Sequence, residues 1–112
     1  MLKKEVLRKR EDFTGIYNKG KSVPERYIVF FFRENGLSYN RTAFLASKKV
    51  GNSVQRNRAK RLMKESFRLS CEDIKTGYDM IFVARNNING RKLSDVDRSL
   101  VNAVKKGKLF KG

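Results

Sequence analysis

The residues of this chain best suited to chemistry are the cations of residues 47–68, SKKVGNSVQRNRAKRLMKESFR. This segment contains eight lysines or arginines and one acid, Glu65. Several of its polar side chains recur at the spacing that places them along one face of a helix. These residues are Asn57, Arg61, Lys64 and Arg68. Because cationic side chains neutralise phosphates, such a row suits a polyphosphate backbone.

Apolar and small residues occupy the other face of the same predicted helix. They are Ala59, Leu62, Met63, Ser66 and Phe67. This pattern predicts that the helix packs against a core, with Asn52 or Ser53 as its N-terminal cap. Residues 55–58, QRNR, then fall in the first turns, where free backbone N–H groups attract phosphate and arginine adds bidentate donors.

Residue types needed for unaided catalysis are scarce. The chain has no histidine and a single cysteine, Cys71, so an internal disulfide, a Cys/His zinc site and the commonest general base, histidine, are excluded. Its acids are scattered along the chain, whereas a metal-dependent nuclease needs clustered carboxylates. We therefore expect no catalytic residue and no metal ligand in the polypeptide itself.

Length and charge narrow the class of protein further. A chain of 112 residues predicts a single domain, residues 1–112, with a basic N-terminus (residues 1–8) that is flexible until it meets a partner. The net charge of +16 favours nucleic acid as the partner. Neither a membrane span nor a secretory signal is recognisable, so we expect a cytoplasmic protein.

The elements that must position the basic helix can be read from hydropathy and turn residues. We expect a short helix over residues 11–18, strands over 27–33, 42–48 and 78–85, and a final helix after residue 94. The first two strands are most simply antiparallel neighbours. The order α-β-β-α-β-α predicts an α+β fold, a small sheet with its helices mainly on one face.

Aromatic residues provide a second, weaker indication of function. Alternation along the first predicted strand separates Val29 and Phe31 from Phe30 and Phe32, so one pair packs on helices while the other can line an open face. Exposed rings beside cations bind unpaired nucleic acid by stacking. Composition alone leaves open whether both sets are core.

Residues 47–68 closely resemble the characteristic segment of the protein subunit of bacterial ribonuclease P, in which Arg56, Asn57 and Arg58 form an RNR run. The similarity extends over nearly the whole chain. Further matching motifs are EDF at residues 11–13, KGKS at 19–22 and AR at 84–85. RNR alone is a weak motif, but its combination with these neighbours, this length and this element order is highly specific.

The resemblance implies a βαβ crossover of left-handed sense around the basic helix, against the usual right-handed rule. It also implies two partners, a large catalytic RNA and the single-stranded 5′ leader of precursor tRNA, which the complex removes. The RNA is expected to hold the catalytic Mg²⁺, with none bound tightly by the protein. No protein partner and no membrane are expected.

The resemblance also assigns residues to two sites. For RNA binding it implies Lys48, Lys49, Asn52, Arg56, Asn57, Arg58, Lys60, Arg61 and Lys64, and the helical row adds Arg68. For the leader it implies a cleft made of Phe13, Tyr17, Val29, Phe31 and Ala84. Tyr17 stands where the family often has phenylalanine, and it keeps the ring for stacking.

Three other interpretations remain open from sequence. A ribosomal or chaperone-type RNA-binding protein would need the same cations without any link to cleavage. A stand-alone metal-dependent nuclease would need clustered carboxylates, whereas the acids of this chain are scattered. DNA binding through a major-groove helix is disfavoured because no helix-turn-helix pairing surrounds the basic helix.

Overall fold

The computed structural model describes residues 4–112 and contains three helices and a four-stranded sheet in that part of the chain. The helices are α1 (Arg10–Lys19), α2 (Ser53–Ser70) and α3 (Leu93–Lys106). The strands are β1 (Lys21–Pro24), β2 (Ile28–Glu34), β3 (Arg41–Leu45) and β4 (Tyr78–Ala84). Short 3₁₀ turns at Cys71–Asp73 and Asn86–Ile88 flank β4.

The two most apolar strands, β2 and β4, occupy the middle of the sheet. The strand order is β1-β2-β4-β3, with β2 antiparallel to both β1 and β4 and with β3 parallel to β4. Phe30 of β2 lies opposite Phe82 of β4, and their rings stack with centroids 4.7 Å apart. A strand with a neighbour on each side and helices on both faces must be apolar on both faces, which explains the sequence of β2.

The predicted pairing of the first two long strands is wrong. The sequence suggested an antiparallel hairpin of β2 and β3, but β4 lies between them and β3 pairs in parallel with β4. Because α2 connects β3 to β4, the two strands form a βαβ crossover, and β4 has the apolar faces that the central position requires. The left hand of that crossover stays a prediction.

The sequence patterns did not predict the edge strand β1. Three of its four residues, KSVP, are exposed, and Val23 alone is partly buried. A lysine and a proline are typical of edge strands, where they discourage pairing with other chains, but they carry no hydropathy pattern.

The helices divide between the two faces of the sheet, two against one. α2 and α3 bury Ala59, Met63 and Leu100 against one face, and α1 buries Ile16 against the other, next to Ile81. Two of the three described helices lie on one face, which confirms the expectation of helices mainly on one face. The face under α1 is only partly covered, which leaves strand residues accessible there.

The N-terminal segment is attached to the sheet over its described part. Val6 forms a parallel bridge with Thr42, the Leu7 amide donates to the Thr42 carbonyl at 2.9 Å, and the Leu7 side chain is buried. Burial of Leu7 compensates for ordering the chain, so residues 5–7 are held against β3 in this structure, and flexibility of the segment before a partner binds stays a prediction. The rest of the predicted flexible stretch, residues 1–3, lies outside the described residues.

Candidate nucleic-acid interface

The basic helix α2 begins at an uncharged cap. The Asn52 side chain accepts a hydrogen bond from the Gln55 amide at 2.9 Å, and the Gln55 side chain accepts one from the Asn52 amide at 2.9 Å. This capping box satisfies end groups without a carboxylate, and α2 has no acid in its first turn. The positive end of the helix dipole is therefore not neutralised by the helix's own residues.

Gly51 lets the chain turn into this cap. Its φ of 146° lies where side chains are rarely tolerated, and a Cβ there would collide with the Gln55 side chain. A substitution at Gly51 would thus strain the backbone and displace half of the capping box. The backbone conformation and the capping box therefore explain why a glycine precedes the basic helix.

The row of polar side chains predicted along α2 lies on its exposed face. Asn57, Arg61, Lys64 and Arg68 are exposed, whereas Ala59, Met63 and Ser66 are buried on the opposite side. In the part of the chain that the structure describes, the carboxylate paired with a cation of α2 is Glu65, which binds Arg68 at 2.5 Å. The other cations of the row have no ionic partner there.

The two arginines of the RNR run make different contacts. The Arg56 guanidinium is half-buried and donates to the Gly51 carbonyl at 3.3 Å, at the entry to the helix. The Arg58 guanidinium is exposed and donates to the Arg91 carbonyl at 2.7 Å, on the loop before α3. Both bonds leave several N–H groups free, since arginine carries five donors.

The remaining predicted RNA-binding residues surround the start of α2. Lys48 and Lys49 are exposed on the loop that leads from β3, which Val50 anchors in the core. Lys60 is half-buried along α2. Asn52 is the cap described above, so its carbonyl oxygen is occupied and its amide N–H groups remain. All ten predicted residues therefore lie on α2 or on the loop that enters it.

A second group of predicted residues meets on the other face of the sheet. Phe13 and Tyr17 of α1 and Val29 and Phe31 of β2 are called the ring surface below. Val29 and Phe31 are both half-buried while their neighbours Ile28, Phe30 and Phe32 are buried, which confirms the alternation along β2. Tyr17 is 44% exposed, and its ring meets that of Phe31 edge-on with centroids 4.9 Å apart. Partial burial raises the pKa of the Tyr17 hydroxyl, so the phenol stays neutral.

Ala84 does not belong to this surface. It is buried in the core formed with α2 and α3, on the opposite face of the sheet. Successive strand residues alternate between faces, so Val83, which is paired with Val29, occupies the position expected for Ala84. The prediction for Ala84 was wrong by one residue. Alternation along β4, measured from its pairing with β2, would have corrected it, but that pairing was not known from sequence.

The two predicted regions approach each other at the edge of β3. An apolar hollow of about 390 Å³ is lined by Phe13 of α1, Leu45 of β3 and Lys64 of α2, among others. One ring of the ring surface and one cation of the helical row thus border the same space. Leu45 was not singled out in the sequence, because its strand was expected elsewhere in the sheet.

Comparison with known proteins agrees with this geometry. The family model for ribonuclease P matches residues 1–108. The chain belongs to the ribonuclease P protein family. It is 42% identical over 110 residues to the ribonuclease P protein component of Clostridium botulinum strain Loch Maree, covering 97% of this chain and 99% of that protein.

Solved structures of the ribonuclease P protein family have the same fold. The Staphylococcus aureus RNase P protein superposes with a TM-score of 0.87 at 33% identity, covering 97% of this chain and all of that one. The Thermotoga maritima RNase P protein gives a TM-score of 0.83 at 32% identity with the same coverage. These similarities confirm the family resemblance and the α+β fold. None of the helices within residues 4–112 is long and apolar enough to cross a membrane.

Proposed function

We propose that this chain is the protein subunit of ribonuclease P, which binds the catalytic RNA through α2 and the 5′ leader of precursor tRNA through the ring surface. The observation that carries the proposal is the set of exposed cations on α2, which except for Arg68 lack an ionic partner among the described residues. Membership of the ribonuclease P family supports the identity of the RNA partner.

The proposed role of α2 is electrostatic. Enzyme RNA and precursor tRNA are both polyanions, so cations placed between them lower their mutual repulsion. The first turn adds backbone N–H groups to the arginines of the RNR run, and its uncharged cap leaves that end attractive to phosphate. A rigid helix holds these groups in place before RNA arrives, which reduces the entropy lost on binding.

The proposed role of the ring surface is to hold unpaired nucleotides of the leader. Its rings are partly exposed, and stacking on them tolerates many base sequences. Because mature tRNA has no leader, binding here favours substrate over product. The polypeptide is proposed to contribute no catalytic residue, and Mg²⁺ is proposed to be held by RNA phosphates, so cleavage occurs in the RNA. A cytoplasmic location is part of the same proposal.

Reconstitution with a bacterial ribonuclease P RNA tests the function directly. At low Mg²⁺, added protein should increase cleavage of precursor tRNA at the 5′ end of the mature sequence. No increase would overturn the proposal, and metal-dependent cleavage by protein free of RNA would show that the polypeptide is itself a nuclease.

The leader site is tested by Phe31→Ala. This change should weaken binding of precursor tRNA to the complex by about 1–3 kcal/mol, the usual worth of a stacked base, and leave mature tRNA unaffected. Phe67→Ala is the matched control, since Phe67 is a partly buried ring on the opposite face. Equal losses for precursor and mature tRNA would show that Phe31 only packs in the core.

A further inference from the structure

Four charged side chains connect α1 to three strands of the sheet, β2, β3 and β4. They are Asp12 of α1, Arg33 of β2, Arg41 of β3 and Asp79 of β4, called the sheet-face cluster below. The Arg41 guanidinium donates two hydrogen bonds to Asp79, at 2.8 and 2.7 Å, and lies 3.4 Å from Asp12. Arg33 lies 3.7 Å from Asp79 and 3.8 Å from Asp12.

Asp79 is the most deeply buried residue of the sheet-face cluster. Its side chain is fully buried, and the Asn35 amide donates a further hydrogen bond to it at 3.0 Å. A buried carboxylate needs partners of this kind because desolvation penalises its charge. Hydrogen bonding to Asp79 raises the pKa of Arg41, so that guanidinium keeps its charge. With two cations and two anions the cluster is neutral overall, and it offers little attraction to phosphate.

Gly15 brings α1 unusually close to this cluster. A Cβ on Gly15 would collide with the Arg33 guanidinium, so that group lies directly against the backbone of α1. Asp12 and Gly15 are three residues apart and therefore share one face of the helix. Arg33 thus contacts α1 at two points on the same face.

This contact and the burial of Ile16 together fix which way the rings of α1 point. Phe13 follows Asp12 by one residue and Tyr17 follows it by five, so their side chains lie about 100° and about 140° around the helix from Asp12. In the observed orientation the Tyr17 ring meets Phe31 at 4.9 Å. A rotation of α1 about its axis would break the contacts of Asp12, turn Tyr17 away from Phe31 and move Phe13 out of the hollow beside β3.

We infer that Asp12 is a positioning residue for leader binding: through Arg33 and Arg41 it sets the rotation of α1 that presents Tyr17 beside Phe31 and Phe13 at the edge of β3. The inference rests on the proposed function and adds a residue that need not touch RNA.

Replacing Asp12 by Asn tests the inference against a control of equal charge. Glu11 is its neighbour, is exposed and forms no ion pair with any residue in 4–112, so Glu11→Gln removes the same charge. Less negative charge alone would tighten binding of any tRNA. We expect Glu11→Gln to leave the precursor-to-mature affinity ratio unchanged or to tighten both ligands, and Asp12→Asn to weaken precursor several-fold with mature tRNA unchanged. Asp12→Glu, which keeps the carboxylate, should restore part of the ratio.

Gly15→Ala gives an independent test without any change of charge. Alanine favours helix, so loss of α1 is not the expected result, and the Arg33 side chain can move aside. The precursor-to-mature ratio should fall as it does for Asp12→Asn. The inference is overturned if both variants keep the wild-type ratio while Phe31→Ala lowers it. If Phe31→Ala also leaves the ratio unchanged, the ring surface does not bind the leader and the proposed function itself is wrong at that site.

Discussion

Helices α1 and α2 differ in how the positive charge at their N-termini is compensated. α1 has no side-chain cap and carries Glu11 and Asp12 in its first turn, where negative charge compensates the helix dipole. α2 has a capping box of two uncharged amides, from Asn52 and Gln55, and no acid in its first turn. One helix end is neutralised within the protein, and the other is left positive.

Arginines follow the same division. Arg33 and Arg41 beneath α1 are partly buried and paired with carboxylates, whereas the cations on the exposed face of α2 up to Lys64 lack such partners within the described chain. An arginine already paired with a buried acid stabilises the fold and is a poor phosphate ligand. An exposed, unpaired one contributes little to stability and is free to bind RNA. The number of charged residues does not distinguish the structural arginines beneath α1 from the exposed cations of α2. Their contacts with carboxylates do.

The largest effect that this comparison predicts is on stability, at Asp79. Replacement of Asp79 by Ala leaves Arg41 without its main partner in a partly buried site, so the free energy of unfolding should fall by roughly 3–5 kcal/mol. Urea denaturation followed by circular dichroism measures the change.

Glu65→Ala is the control for Asp79, because it also removes an acid paired with an arginine, but an exposed one. Its midpoint should move far less. If both variants shift the midpoint equally, burial does not distinguish the two kinds of pair and the comparison fails.

Substitutions at Asn52 test the effect on stability separately from the effect on RNA binding. Asn52→Ala removes the cap and should lower the free energy of unfolding by about 1 kcal/mol. Asn52→Asp keeps a good cap and should leave stability equal or slightly raised, by about 0.3–1 kcal/mol through the dipole. It nevertheless places a negative charge where RNA is proposed to bind. Titration with the enzyme RNA at fixed salt should therefore show weaker binding for the aspartate variant than for wild type. Wild-type affinity would mean that RNA does not approach this end of α2.

Sequence was sufficient for the features that depend on local pattern. The spacing of residues 57–68 predicted the exposed row of α2 and its buried side, and Asn52 was one of two caps considered. Alternation placed Val29 and Phe31 on one face of β2. Each of these properties depends on residues within a few positions of one another, where helix and strand periodicity apply directly.

Features that depend on distant pairing could not be predicted in this way. The place of β4 between β2 and β3 changed the neighbours of both strands, and it moved Ala84 away from the ring surface. The sheet-face cluster is formed from α1, β2, β3 and β4, with Asp12 and Asp79 far apart in sequence. In the sequence these acids appeared scattered, because only the sheet register brings them together.

The smallest expected effects on stability come from two exposed arginines of α2, one without a carboxylate partner and one with it. Arg61 has no carboxylate partner in residues 4–112, whereas Glu65 binds Arg68 through two hydrogen bonds, at 2.5 and 3.0 Å. Arg61→Ala should change the free energy of unfolding by no more than about 0.5 kcal/mol. It should also flatten the salt dependence of binding to the enzyme RNA by roughly one unit. Arg68→Ala should flatten it less, because Glu65 already neutralises that guanidinium.

The Glu65 carboxyl reports independently on whether the Arg68 pair exists in solution. Hydrogen bonding to Arg68 holds the pKa of Glu65 below its ordinary 4.5. A lowered folded-state pKa adds stability above pH 4.5 and loses it as pH falls through the folded value, an effect that exposure keeps small. NMR titration should find the Glu65 pKa lowered in wild type, restored by Arg68→Ala and unchanged by Arg61→Ala. An ordinary value in wild type would place Arg68 among the unpaired cations, and its salt effect should then equal that of Arg61.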